Sequence, residues 1–125
     1  MVKEEYIIKL SLLEQKSKEL EQQISIIDQQ ISEIRALQAS LKKIGNSDEI
    51  IAPFGKGIFA KTKLMDKNFF VSVGAGIVLK RNEKETEEII ENQINELSGI
   101  RENFIQEISR INLEFEKLIG EVQVS

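Results

Sequence analysis

The stretch from Glu49 to Arg81 limits what this chain can become, because the spacing of its apolar residues changes on either side of it. It holds the only proline and four of the seven glycines. The glycines come in pairs, Gly55/Gly57 and Gly74/Gly76, and Met65-Asp66-Lys67-Asn68 lies between the pairs. The runs between these breaks are rich in β-branched and aromatic residues, which predicts four short strands in two hairpins. Glycine supplies the positive φ of tight hairpin turns. Pro53 has no N–H, so its strand is expected at a sheet edge or at the start of a pairing.

On both sides the apolar period lengthens from about two to about three and a half. In the first arm Leu10, Ser17, Ile24, Ile31 and Gln38 occupy heptad position a, and Tyr6, Leu13, Leu20, Ile27, Ile34 and Leu41 occupy d. Such a run specifies a left-handed coiled coil. Lys42 and Lys43 suit the negative end of the helix dipole, Gly45 offers a left-handed cap and Asn46-Ser47-Asp48 makes a turn. In the second arm Asn82 is the expected N-cap, with Glu85 at capping-box spacing. The seam continues through Ile90, Ile94, Leu97, Phe104, Ile108, Ile111, Phe115, Leu118 and Val122. Arg101 interrupts it and is expected to reach out to solvent. Residues 3–44 and 83–124 make arms of equal length, about 63 Å each at 1.5 Å per residue. The fold class is therefore α+β: a long antiparallel coiled-coil hairpin with two β-hairpins at the bend. Residues 1–45, 49–81 and 82–125 form one domain. The expected neighbours are Leu41 with Ile90, Ile24 with Phe104–Ile108, and Tyr6–Leu13 with Leu118–Val122.

The 125 residues leave only about thirty for a sheet, too few to stand alone. Other chains are expected to complete it through Ile50, Ile51, Ile58 and Phe59 of the first hairpin. Phe69, Phe70, Val71, Val73, Ile77 and Leu79 do so in the second. The chain has no cysteine and no histidine, which removes thiol chemistry, disulfides and the commonest general base and metal ligand. No catalytic residue, metal or cofactor is expected, and a reducing cytoplasm fits. The net charge is −4, and residues 83–125 carry eleven acidic and four basic groups, a poor match to nucleic acid. No apolar run reaches the roughly 20 residues of a membrane span, and the acidic start is unlike a signal peptide. Gly74-Ala75-Gly76 reads as a turn, since no third glycine or Lys-Ser/Thr pair follows. The Glu85/Glu87/Glu88/Glu91 cluster reads as a solvated helix start.

A coiled coil needs only a and d to be apolar, yet Val2, Ile7, Ile8, Leu12, Ile119 and Val124 lie off the seam near the chain ends. Exposed apolar clusters mark binding sites. Ile7, Ile8, Leu12 and Ile119, with the neighbouring seam residues Tyr6, Leu118 and Val122, are the candidate contacts of an apolar binding surface.

Ile51-Ala52-Pro53-Phe54-Gly55-Lys56-Gly57 and Val71-Ser72-Val73-Gly74-Ala75-Gly76-Ile77, set between the two arms, resemble the prefoldin (GimC) alpha class. The resemblance spans nearly the whole chain. Two hairpins rather than one point to that class. It implies an ATP-independent cytosolic chaperone, a hexamer of two alpha-class and four beta-class subunits with a double β-barrel body and six arms. It further implies that the arm tips hold unfolded polypeptides and pass them to a group II chaperonin. The alternative is a coiled-coil scaffold or assembly subunit that binds no client.

Overall fold

The computed structural model describes residues 2–44 and 49–124. The expected Gly45 cap, the Asn46-Ser47-Asp48 turn and the side chains of Val2 and Val124 lie outside the described residues. The elements run α1 (Val2–Ile44), β1 (Glu49–Gly55), β2 (Ile58–Lys63), β3 (Asn68–Gly74), β4 (Ile77–Asn82) and α2 (Glu83–Val124). They fall into two compact units, Met1–Ile31 with Glu96–Ser125, and Ser32–Asn95.

In the first unit the helices pair antiparallel. Tyr6 bonds Glu121, Lys16 Nζ lies 3.5 Å from Glu107, and Arg101 Nε donates to Asp28 Oδ1 at 2.6 Å. Each partner therefore moves back along α2 as α1 advances. Along this part of α1 every a and d position from Tyr6 to Ile31 is at least half-buried, and the positions between are exposed. Ile27 and Ile111 are buried outright. Burying one such side chain is worth about 1.5–3 kcal/mol, so the seam outweighs the mean propensity of either helix.

Arg101 reaches outward as expected, but it does so onto a partner. Its guanidinium meets the Asp28 carboxylate with two nitrogens, the second at 3.5 Å. That bond and the carboxylate's charge raise its pKa above the ordinary arginine value. An arginine fork fits a carboxylate bidentately, and Asp28 sits one position past the seam residue Ile27, within its reach. Leu13 lines a shallow groove with Ile111 and Phe115.

Gly99 and Gly120 lie inside α2, and a Cβ added at either meets nothing within 4 Å. Packing does not require glycine there. Gly99→Ala is expected to raise stability by about 1 kcal/mol, read as a higher midpoint in urea.

The second unit holds the end of α1, both hairpins and the start of α2. Ile94 is its most buried side chain, 2% exposed, and Leu41 and Ile90 are buried with it. Gln38, a polar seam residue, donates Nε2 to Glu91 Oε2 at 2.8 Å. Thr86 is buried as well, and its Oγ1 donates to the Asn82 carbonyl at 2.7 Å, so it joins the core with its hydroxyl satisfied. The capping box is complete. The Glu85 amide donates to Asn82 Oδ1 at 2.8 Å, and the Asn82 amide to Glu85 Oε1 at 3.2 Å.

β1 pairs with β2 and β3 with β4, each antiparallel, in two separate two-stranded sheets. The two-residue turns are Lys56-Gly57, at φ 51° and 77°, and Ala75-Gly76, at 52° and 73°. Two positive φ values in succession are the type I′ turn that matches strand twist. Each hairpin shifts register just before its turn, at Phe54 and at Val73. Ala75 carries a Cβ into left-handed space, where asparagine is favoured. Ala75→Asn is expected to stabilise the fold by about 0.5–1 kcal/mol, with a melting temperature a few degrees higher.

Candidate functional site

The alternation of each strand separates two faces. In the first hairpin Ile50, Ala52, Ala60 and Thr62 are half-buried, while Ile51, Pro53, Phe59 and Lys61 are exposed. In the second, Phe69, Val71, Leu79 and Arg81 are half-buried, while Phe70, Ser72, Val78 and Lys80 are exposed. A one-residue period shift would exchange these sets, so the pattern fixes which residues a partner can reach.

The ten strand residues singled out from the sequence therefore divide. Ile50, Phe69 and Val71 line a cleft of about 510 Å³ with Leu41, Ile44 and Ile90, and the exposed Phe70 reaches its rim. Leu79 is half-buried too. Ile51, Ile58, Phe59, Phe70, Val73 and Ile77 are exposed. Phe54, 73% exposed, Val78 and Met65 share that exposure and were missed by sequence reasoning. Phe54 sits at the register shift, where period-two reading gives no face. Val78 follows from strict alternation along β4, which the continuous apolar run Ile77-Val78-Leu79 conceals. An apolar surface of this size on so small a β region is of the kind that marks protein contacts.

Near the chain ends Ile7, Ile8 and Leu12 are each about 60% exposed. Tyr6, Leu118 and Val122 are half-buried in the seam, and Ile119 is half-buried beside it. Ile7 and Ile119 flank the same side of the seam by heptad position, and Ile8 and Leu12 face outward. The Tyr6 hydroxyl donates to the Glu121 carboxylate; that bond and the carboxylate's charge hold the phenol above its ordinary pKa. A pKa raised on folding leaves the contact whole below about pH 10 and loses it only as pH climbs past that range. Lys9 Nζ stands 6.0 Å from the Tyr6 ring centre.

Among the described residues no group of three acidic, histidine or cysteine side chains is arranged to hold a metal ion. No helix is long and apolar enough to cross a membrane.

Two long helices with two small antiparallel hairpins between them in sequence, and apolar side chains outward on the hairpins, define a coiled-coil subunit class. The family model described as Prefoldin subunit matches residues 13–124. The chain is 29% identical over 118 residues to prefoldin subunit alpha of Methanococcus vannielii, covering 91% of this chain and 79% of that one. It is 32% identical over 97 residues to prefoldin subunit alpha 1 of Thermococcus kodakarensis, 74% of this chain and 66% of that one. A third relative, prefoldin subunit alpha of Methanosphaera stadtmanae, is 29% identical over 90 residues, 70% of this chain and 65% of its own length. In fold the chain resembles a filamentous PFD from Methanocaldococcus jannaschii solved by cryo-EM, with a TM-score of 0.81, 24% identity, and coverage of 90% and 97%. The chain belongs to the prefoldin subunit family, in its alpha class.

Proposed function

We propose that this chain is one subunit of a nucleotide-independent chaperone of the cytoplasm, in which hairpins of several chains join and the helical arms carry the client. Its partners in this reading are beta-class prefoldin subunits, two alpha-class and four beta-class chains forming a hexamer. Its clients are unfolded polypeptides, and a group II chaperonin receives them. One observation supports this more than any other. Among the described residues, the chain leaves Ile51, Phe54, Phe59 and Phe70 outside on strands that pair only within their own hairpin. Such edges are an aggregation hazard unless other chains cover them. The client surface in this reading is Ile7, Ile8 and Leu12, with Tyr6, Leu118, Ile119 and Val122 beside them. Weak contacts at several arms add up without nucleotide-driven release.

The test is to mix the chain with a beta-class prefoldin subunit, weigh the product by sedimentation, and ask whether it keeps a chemically denatured protein from aggregating without ATP. Assembly with protection is the expected result. Assembly without protection would leave the coiled-coil scaffold as the correct reading, and a stable folded monomer would overturn the assembly itself.

A further inference from the structure

Charge is divided unevenly between the two units. The unit of Met1–Ile31 and Glu96–Ser125 carries twelve acidic and seven basic side chains, a net charge of −5. Ser32–Asn95 carries nine acidic and ten basic, a net charge of +1, and the two together make the −4 of the whole chain. Ion pairing inside the first unit sharpens the imbalance at its surface. Four of its seven basic groups are engaged, Lys18 by Glu14, Arg101 by Asp28, and both Lys16 and Arg110 by Glu107. Because Glu107 serves two of them, only three carboxylates are used. Among the described residues, nine carboxylates and three lysines of this unit stand outside these pairs, and one of the three, Lys9, stands over the Tyr6 ring.

The surplus carboxylates accompany the exposed apolar side chains. Ile8 follows Glu4 by four residues and Glu5 by three, so the three are neighbours on the outer face of α1. Glu19, one heptad past Leu12, continues that face. Glu21, two heptads past Ile7, lines the groove formed by Leu13, Ile111 and Phe115. In α2 the exposed Glu116 stands about one turn before the half-buried Ile119.

We infer that the client surface of this chain selects unfolded segments in which apolar residues are interspersed with lysine and arginine. The inference rests on the client surface proposed above and names the chemistry of what it holds. Apolar contact gives affinity for any unfolded segment, and the carboxylates then decide between segments of equal hydrophobicity. A client lysine covers Ile8 with its methylene stem while its charged end reaches Glu4 or Glu5. A client glutamate at the same point meets carboxylates within a Debye length, about 10 Å at 0.1 M salt, and is repelled. The arm of a second copy is a poor occupant for the same reason, since it brings its own charge of −5.

The experiment follows the methyl NMR signals of Ile7, Ile8 and Leu12 in the full chain during titration with three unstructured peptides. The peptides carry the same apolar residues, interspersed with lysine in the first, serine in the second and glutamate in the third. All three are expected to shift the signals. The lysine peptide is expected to bind about tenfold tighter than the glutamate peptide at about 0.05 M salt, and the difference to close at about 1 M. The combined variant Glu4→Gln, Glu5→Gln, Glu19→Gln, Glu21→Gln changes exposed residues only, and is expected to lose most of that preference while binding the serine peptide as before. Equal affinity for the three peptides, a preference for glutamate, or a lysine preference that the variant keeps in full overturns the inference and leaves the client surface standing. Lysine-peptide binding that leaves Ile7, Ile8 and Leu12 unmoved is adsorption by charge alone and overturns it too. Failure of every peptide to shift the signals overturns the client surface itself, and this inference with it.

Discussion

Ile94→Asp is expected to lower the free energy of unfolding by on the order of 4 kcal/mol. The side chain is 2% exposed and shares its unit's core with Leu41 and Ile90. A carboxylate there either stays charged without a partner or takes up a proton, and both options cost stability. Lost apolar contacts add to this. Ile27→Asp, at the buried seam position of the other unit, is expected to act in the same direction. Leu113→Asp provides the contrast. Leu113 is 68% exposed, and a surface change of this kind stays within about 0.5 kcal/mol. Urea unfolding followed by circular dichroism separates the three. Equal midpoints for the Ile94 and Leu113 variants would refute the buried seam.

Changing Ile7, Ile8 and Leu12 together to serine is expected to weaken protection of a denatured client severely while the fold and assembly mass stay the same. All three are exposed, so the seam loses little. Each can contribute about 1.5–3 kcal/mol when fully covered by a client segment, reduced by partial burial and ordering costs. Several arms together restore useful affinity, so losing the contact on both alpha-class arms has a large combined effect. Ile119 is left unchanged in this variant because it is half-buried, and its loss would mix packing with binding. Ile26→Ser, at an exposed mid-arm position, is expected to leave protection nearly intact. Full protection by the triple variant would move the client surface elsewhere on the chain.

Much of this architecture follows from local rules that act without tertiary information. The seam positions are readable because a half-buried helix repeats its apolar residues by fours and threes, and the hairpins because paired glycines interrupt β-rich runs. Asn82 and Glu85 announce a cap through chemistry confined to one turn. What escapes is whatever depends on a distant partner. Arg101 looks like a seam defect until Asp28, on the other helix, is set beside it. Thr86 looks like a surface residue of a solvated helix start until its hydroxyl finds the Asn82 carbonyl and its methyl group joins the core. The division of the strand residues into inward and outward sets also waits on the bulges. A register shift at Phe54 or Val73 breaks the period that would otherwise extend one face through the turn.

Asn82 is at once the last residue of β4 and the cap of α2, and no residue intervenes before Glu83. Strand and helix are thus joined as a crank is to its shaft. A flexible joint would absorb a twist of β4, but here two hydrogen bonds between Asn82 and Glu85, and a third from Thr86 to the Asn82 carbonyl, carry that torque into the first turn of α2. Whatever grips the second hairpin also sets the angle at which this helix departs from it.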